Sequence, residues 1–272
     1  MCELLGMSAS VPTDICFSFA GLMRRGGETG PHEDGWGIGF YEGKGYRAFH
    51  DPLASANSEI ARFVQSYSIK STNVLCHIRK ANRGKVCLEN THPFARELWG
   101  QTWSFAHNGQ LKGIKKWPLE YYKPVGTSDS EYAFCWLLGQ IRKHFSTPPK
   151  THRKLWAFIG TQVQALSELG IFNILMSDGR SLYTHCSTKL VYLTRKAPFG
   201  PAQLIDTDMT VNFADHTQVN DVVTVITTQP LTLDEPWQTM KKSEFSVFQK
   251  GQIVWKKGVQ EAPQETEIVS GG

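Results

Sequence analysis

The chain reads as an α+β protein whose sheets are sandwiched with helices, and three observations lead there. Strand-like segments of alternating or β-branched character occupy both ends of the sequence. Two long runs with helical spacing, one ending at His144 and one from Lys154 to Leu169, sit together in the middle. The order is therefore strands, two helices, then strands, which a regular βαβ series does not give.

Composition narrows the function classes. With 272 residues, 40% hydrophobic and 20% charged, the chain can bury a sizeable core as an enzyme-sized soluble protein. The net charge is only +4, from 29 basic and 25 acidic residues. The one basic stretch free of acids, Arg142 to Lys154, is interrupted by Pro148-Pro149 and lacks stacking aromatics. It reads as a solvated helix–loop–helix connection, so no nucleic-acid partner is expected. No apolar run approaches the roughly 20 residues of a membrane span, and no signal peptide opens the sequence. The six cysteines are scattered without C-x-x-C spacing, as expected of reduced thiols in a cytoplasmic protein, with neither disulfides nor a zinc site. The histidines show no metal-ligand spacing, and no cofactor is expected.

Leu4 and Leu5 begin a strand almost at the terminus, which would hold Cys2 against a sheet. Arg24 to Asp34, rich in Gly and charge, reads as a long surface loop. Gly35-Trp36-Gly37-Ile38-Gly39-Phe40-Tyr41 fits neither nucleotide-binding glycine pattern. It alternates Trp36, Ile38 and Phe40 with glycines, giving a strand with one bare face where backbone or ligand can approach. Gly43 and Gly45 turn it into a hairpin with Tyr46 to His50, and Ser55 to Tyr67 has helical spacing.

Thr72 to Arg79 is a strand that sends His77 and Arg79 from one face at its end. Arg79 reads either as a surface ion pair or as a fork for a carboxylate. Lys80 to Asn90 is a polar loop, followed by Thr91-His92-Pro93-Phe94. The strand from Gln101 to His107 ends at Asn108-Gly109, first of all a turn signal, although such a corner can also aim an amide and an N–H at one point. Ser128 and Glu131 form a capping box for the helix that follows, and Asp129 suits its positive end. After Gly170 come short strands at Phe172–Met176, Ser181–His185, Lys189–Leu193 and Val222–Ile226, with one more about Phe245 to Trp255. From Lys256 to Gly272 the chain is polar and ends Ser-Gly-Gly, as a flexible tail would; residues 2–255 are read as one domain and 256–272 as that tail.

Cys2 carries a further possibility. Removal of Met1, which a small second residue permits, would give one residue both a thiol and a free α-amine. An α-amine titrates near pH 7.7–8.0, so it could serve as the base for its own side chain, a one-residue version of a Ser–His pair.

Four motifs in order, Cys2, His77-Ile78-Arg79-Lys80-Ala81, His107-Asn108-Gly109 and Ser128-Asp129-Ser130-Glu131, resemble those of the class II glutamine amidotransferases. These are the N-terminal-nucleophile hydrolases that use cysteine. The resemblance is closest to the small stand-alone members, which include relatives in glutathione degradation and ergothioneine synthesis. It implies a four-layer αββα sandwich of two mostly antiparallel sheets. It further implies attack by Cys2 on the side-chain amide of glutamine or a γ-glutamyl compound, through a cysteinyl thioester. Asn108 and the Gly109 N–H would hold the oxyanion, Arg79 the substrate α-carboxylate and Asp129 its α-ammonium, with His92 lining the pocket. Glutamate and ammonia or an amine would be the products.

The sequence also departs from the pattern. Glu3 follows the nucleophile where relatives usually carry glycine, which puts a side chain close to the reacting centre. After Arg79-Lys80-Ala81 it reads Asn82-Arg83-Gly84, where many relatives carry Trp after the Arg and Thr-His after the Ala; a larger γ-glutamyl group could then be admitted. No stretch looks like a synthase domain, so the acceptor is water or a separate synthase subunit. The alternatives are a glutaminase subunit latent alone and a non-catalytic amino-acid binder; the second is disfavoured by the presence of Cys2, Arg79, Asn108 and Asp129.

Overall fold

In the computed structural model, which describes residues 2–81, 84–213 and 220–257, fifteen strands and four helices are formed. The first strands are β1 (Glu3–Thr13), β2 (Trp36–Glu42), β3 (Gly45–Asp51), β4 (Ser71–Ile78), β5 (Phe94–Leu98), β6 (Gln101–Leu111), β7 (Gly170–Ser177) and β8 (Leu182–Cys186). The rest are β9 (Val191–Lys196), β10 (Pro201–Gln203), β11 (Thr210–Asn212), β12 (Val222–Thr227), β13 (Gln238–Thr239), β14 (Glu244–Gln249) and β15 (Gln252–Lys257). The helices are α1 (Cys16–Arg24), α2 (Glu59–Ser66), α3 (Asp129–His144) and α4 (His152–Ser167).

Strand alternation sorts the apolar side chains into three layers of core. In β1, Leu5 and Met7 point outward and pack with Phe19 of α1 and Ala61 and Val64 of α2. Leu4 points the other way and joins Leu75, Leu175 and Leu182 between the sheets. On the far side, Phe105 and Phe172 pack against Phe134 of α3 and Ile159 of α4. Each such side chain removed from water contributes roughly 1.5–3 kcal/mol. The seven-stranded sheet runs β13-β9-β12-β1-β4-β2-β3 and the six-stranded sheet β15-β14-β8-β7-β6-β5, with antiparallel pairing throughout. The architecture is the αββα sandwich, α+β in class, and β1 lies at the centre of the first sheet.

Several local expectations are corrected. Helix α1 escapes a periodicity reading because residues 18–23 are all buried, so no polar stripe marks it, and no side chain caps its start. The loop after it is not simply surface: Arg25 and His32 are both buried, because Arg25 is drawn inward by carboxylates. The bare face of β2, by contrast, is approached by backbone as expected: a Cβ on Gly37 would stand 2.2 Å from the His92 carbonyl oxygen and 2.6 Å from the His50 ring. The late strand is a hairpin, β14 and β15, turned at Lys250 and Gly251, both at positive φ. Lys256 and Lys257 complete β15, and the tail expected beyond them falls outside the described residues from 258 on. Among the described residues no helix is long and apolar enough to cross a membrane.

Candidate active site

Cys2 stands immediately before β1, and that strand is pinned from its first residues. Glu3 pairs with Ile78 of β4, and the Leu4 N–H donates to Thr228 Oγ1 at 2.9 Å. Beyond Ile78, β4 is drawn across the end of β1 by a loop. The Arg79 N–H donates to Gly35 O at 2.8 Å, the Asp34 N–H to Arg79 O at 3.1 Å, and the Ala81 N–H to Asp34 Oδ2 at 2.7 Å. The Lys80 peptide thereby brackets the sulfur: its N–H lies 3.4 Å from Cys2 Sγ and its carbonyl 3.5 Å. Burial pushes the thiol up from its ordinary range, against the opposing pull of the Lys80 N–H and the Arg79 charge. At neutral pH the group is a thiol and needs a base to become a nucleophile.

Glu3, by contrast, does not sit beside the Cys2 thiol as the sequence led one to expect. Successive residues on a strand face opposite ways, and the Glu3 carboxylate meets Arg25 Nη1 at 3.4 Å and Gln229 Nε2 at 3.1 Å. It is 2% exposed and does not line the cavity described below.

Asn108 and Gly109 are not a turn. Strand β6 continues through them to Leu111, opposite Asn173 and Phe172 of β7. Ladder pairing along β7 overrides the local preference of Asn-Gly for turns. Gly109 is required there, since a Cβ would stand 1.9 Å from the Ile171 carbonyl oxygen. The Asn108 side-chain amide donates to the Cys2 carbonyl at 2.7 Å, and the Asn108 main-chain carbonyl accepts from Asn173 Nδ2 at 3.2 Å. Behind it, His107 Nε2 lies 3.0 Å from Ile171 O and must donate to it, which leaves Nδ1 to accept from Ser130 Oγ at 2.8 Å. Burial lowers the His107 pKa, with Asp129 opposing, so the ring is held neutral.

Helix α3 delivers Asp129. Ser128 caps the helix by accepting the Glu131 N–H at 3.1 Å. The expected reciprocal half of the capping box is absent: Glu131 accepts instead from the Val125 and Gly126 N–H groups and pairs with Arg96. Asp129 Oδ2 accepts the Leu111 N–H at 2.7 Å, which ties the helix start to the end of β6. Arg79, 7% exposed, uses Nη1 to reach Lys85 O at 3.1 Å. His92 packs its ring 4.2 Å from that of His77, and burial holds its pKa well below the ordinary histidine value.

One cavity of about 470 Å³ brings together Cys2, Arg79, His92, Asn108, Gly109 and Asp129. It therefore holds a thiol, amide donors at a strand, a cation and an anion. A larger cavity of about 690 Å³ beside α1 and β11 contains none of them. Sequence reasoning passed over Asn90, which lines the smaller cavity from within the polar loop, and the His107–Ser130 pair. For the second, the signal was a histidine adjoining Asn108 and a serine adjoining Asp129.

The model of the class II glutamine amidotransferase family matches residues 1–269. The chain belongs to that family. It is 56% identical over 254 residues to YafJ of Escherichia coli (strain K12), named provisionally as a glutamine amidotransferase, covering 93% of this chain and 100% of that one. It is 45% identical to a similarly named protein of Haemophilus influenzae, with 93% and 86% covered. Among solved structures, a glutamine amidotransferase assigned by prediction from Pseudomonas aeruginosa is 49% identical with a TM-score of 0.75, over 93% of this chain and 100% of that one. Glutamine phosphoribosylpyrophosphate amidotransferase of B. subtilis, 13% identical with a TM-score of 0.61, shares the fold over 94% of this amidotransferase and 49% of its own chain.

Proposed function

We propose that this amidotransferase hydrolyses the amide of glutamine or of a γ-glutamyl compound through a thioester on Cys2. The observation that carries the reading is the single cavity that gathers the Cys2 thiol, the Asn108–Gly109 segment, Arg79 and Asp129. With Met1 removed, the α-amine of Cys2 takes the thiol proton. The sulfur bonds to the amide carbon, and the carbonyl π electrons move to an oxyanion held by the Asn108 amide and the Gly109 N–H. The C–N bond then breaks, the leaving nitrogen takes the proton from the α-ammonium, and a thioester remains. Water adds to it, the C–S bond breaks, and glutamate leaves as the thiol regains its proton. Arg79 pairs with the α-carboxylate and Asp129 with the α-ammonium, and His92 forms part of the wall.

In a second reading ammonia passes to a separate synthase, as membership of an amidotransferase family allows. Glutamate release by the pure protein from glutamine and γ-glutamyl dipeptides distinguishes the two. Activity without a partner supports hydrolysis, and activity only with a co-purifying synthase supports transfer. Intact mass should show Met1 absent, and a glutamine-mimicking electrophile should add once, at Cys2. Turnover surviving Cys2→Ala would remove the thiol from the mechanism.

A further inference from the structure

One wall of the cavity is built from two loops far apart in sequence that meet at one side chain. Asn90 is 2% exposed. Its Oδ1 accepts the Thr127 N–H at 2.8 Å, and its Nδ2 lies 3.2 Å from Thr127 Oγ1, 3.2 Å from Lys85 O and 3.1 Å from Cys87 Sγ. Lys85 O is the same oxygen that receives Arg79 Nη1 at 3.1 Å. Thr127 stands two residues before Asp129, and its carbonyl accepts Lys115 Nζ at 2.7 Å. The loops are in close contact at this point: a Cβ on Gly126 would stand 2.4 Å from Asn90 Oδ1 and 2.5 Å from Glu89 O. One amide is thus bonded both to the oxygen that braces the guanidinium and to the segment that delivers the carboxylate.

We infer that Asn90 is a positioning residue that sets the separation of Arg79 from Asp129, and so the selectivity for ligands carrying both an α-carboxylate and an α-ammonium. This rests on the reading of Arg79 and Asp129 as the pair that holds those charges. Asparagine is suited to the place because it offers an acceptor to one loop and donors to both. Aspartate would keep the acceptor but set a carboxylate against the Lys85 carbonyl, and alanine would leave the Thr127 N–H and Lys85 O to find other partners. Two charges recognise a zwitterion only at a fixed spacing, and a displacement of about 1 Å in such a site can cost about 10²-fold.

The test is calorimetric binding in the full-length Cys2→Ala protein, so that it does not depend on turnover. The probes are L-glutamate, glutarate, which lacks the ammonium, and 4-aminobutanoate, which lacks the α-carboxylate. The parent should prefer L-glutamate to either analogue by at least about 10-fold, and adding Asn90→Ala should weaken L-glutamate by about 10-fold while reducing that preference to a few-fold. Thr127→Val, which removes only one acceptor, should shift both in the same direction by less, and it carries the test if Asn90→Ala does not fold. Lower thermal stability with unchanged selectivity in the folded variants would overturn the inference and leave Asn90 a structural clasp. A parent that binds L-glutamate no better than glutarate, with binding indifferent to Arg79→Ala, would overturn the charge-pair reading itself, and this inference with it.

Discussion

The side-chain amide of Asn108 donates to the main-chain carbonyl of Cys2 at 2.7 Å, so the proposed oxyanion donor also holds the proposed nucleophile in place. Asn108 is fully buried, and its backbone carbonyl is held in turn by Asn173. Asn108→Ala should therefore lower kcat by about 10²–10³ with a smaller change in KM, the effect of removing one oxyanion donor. Steady-state glutamate release checks this. A change confined to KM would assign Asn108 to ground-state binding instead.

Arg79→Lys and Asp129→Asn should both raise KM with kcat little altered. Lysine keeps the charge of Arg79 but loses the planar fork that matches a carboxylate. Asparagine at 129 can still accept the Leu111 N–H now held at 2.7 Å, so the helix start should keep its place while the negative charge is lost. Loss of one charge-assisted contact of about 1.5–3 kcal/mol corresponds to roughly 10- to 150-fold in KM. Equal losses in kcat would contradict a binding role.

Glu3 and Arg25 form a buried pair next to Cys2, the proposed nucleophile, with side chains 3% and 10% exposed. Arg25 also meets Asp206 at 2.8 Å and the carbonyls of Gln229 and Pro230. Because Arg25 keeps Asp206, Glu3→Ala should destabilise by about 3 kcal/mol, the low end for breaking a buried pair. The double variant Glu3→Ala with Arg25→Ala should lose less than the sum of the two single losses. Urea unfolding of the four proteins measures the coupling, and strict additivity would show that the pair is not coupled.

What the sequence made legible follows from where local and global preferences agree. Residues 36–42 alternate and form β2; Ser128 caps α3; and Leu4 and Leu5 point to opposite faces of a central strand, as period two requires. The αββα order was legible through an ordered set of motifs, and the same motifs named residues that line one cavity, since no single residue among Cys2, Arg79, Asn108 and Asp129 announces it. The misreadings have physical causes. Helix α1 is buried along most of its length and lacks a stripe. Asn108-Gly109 is claimed by the neighbouring strand. Glu131 finds Arg96 and two backbone N–H groups that are better placed than the one at Ser128. The part inferred for Asn90 was not legible because Thr127, the partner that joins it to the second loop, lies 37 residues away.

The buried histidines should give the protein a steep acid limb. Burial lowers His77 to about 3 and His185 to about 4, and it holds His92 well below the ordinary value, with like-charged neighbours adding to the effect. In the unfolded chain each titrates near 6.5. Between the folded and unfolded values the unfolded state binds protons that the folded state refuses. The neutral-histidine contribution is therefore complete above about pH 6.5 and is lost as pH falls towards the folded values. Each histidine that stays neutral contributes a slope of about 1.4 kcal/mol per pH unit, so three of them should make unfolding free energy fall steeply between about pH 6 and 5. Replacing His185 with glutamine, away from the cavity, should remove one histidine's share of that slope while leaving the rest. Urea unfolding at half-unit intervals from pH 7.5 to 5 gives both slopes. A flat profile over that range would mean that these rings take up protons in the folded state.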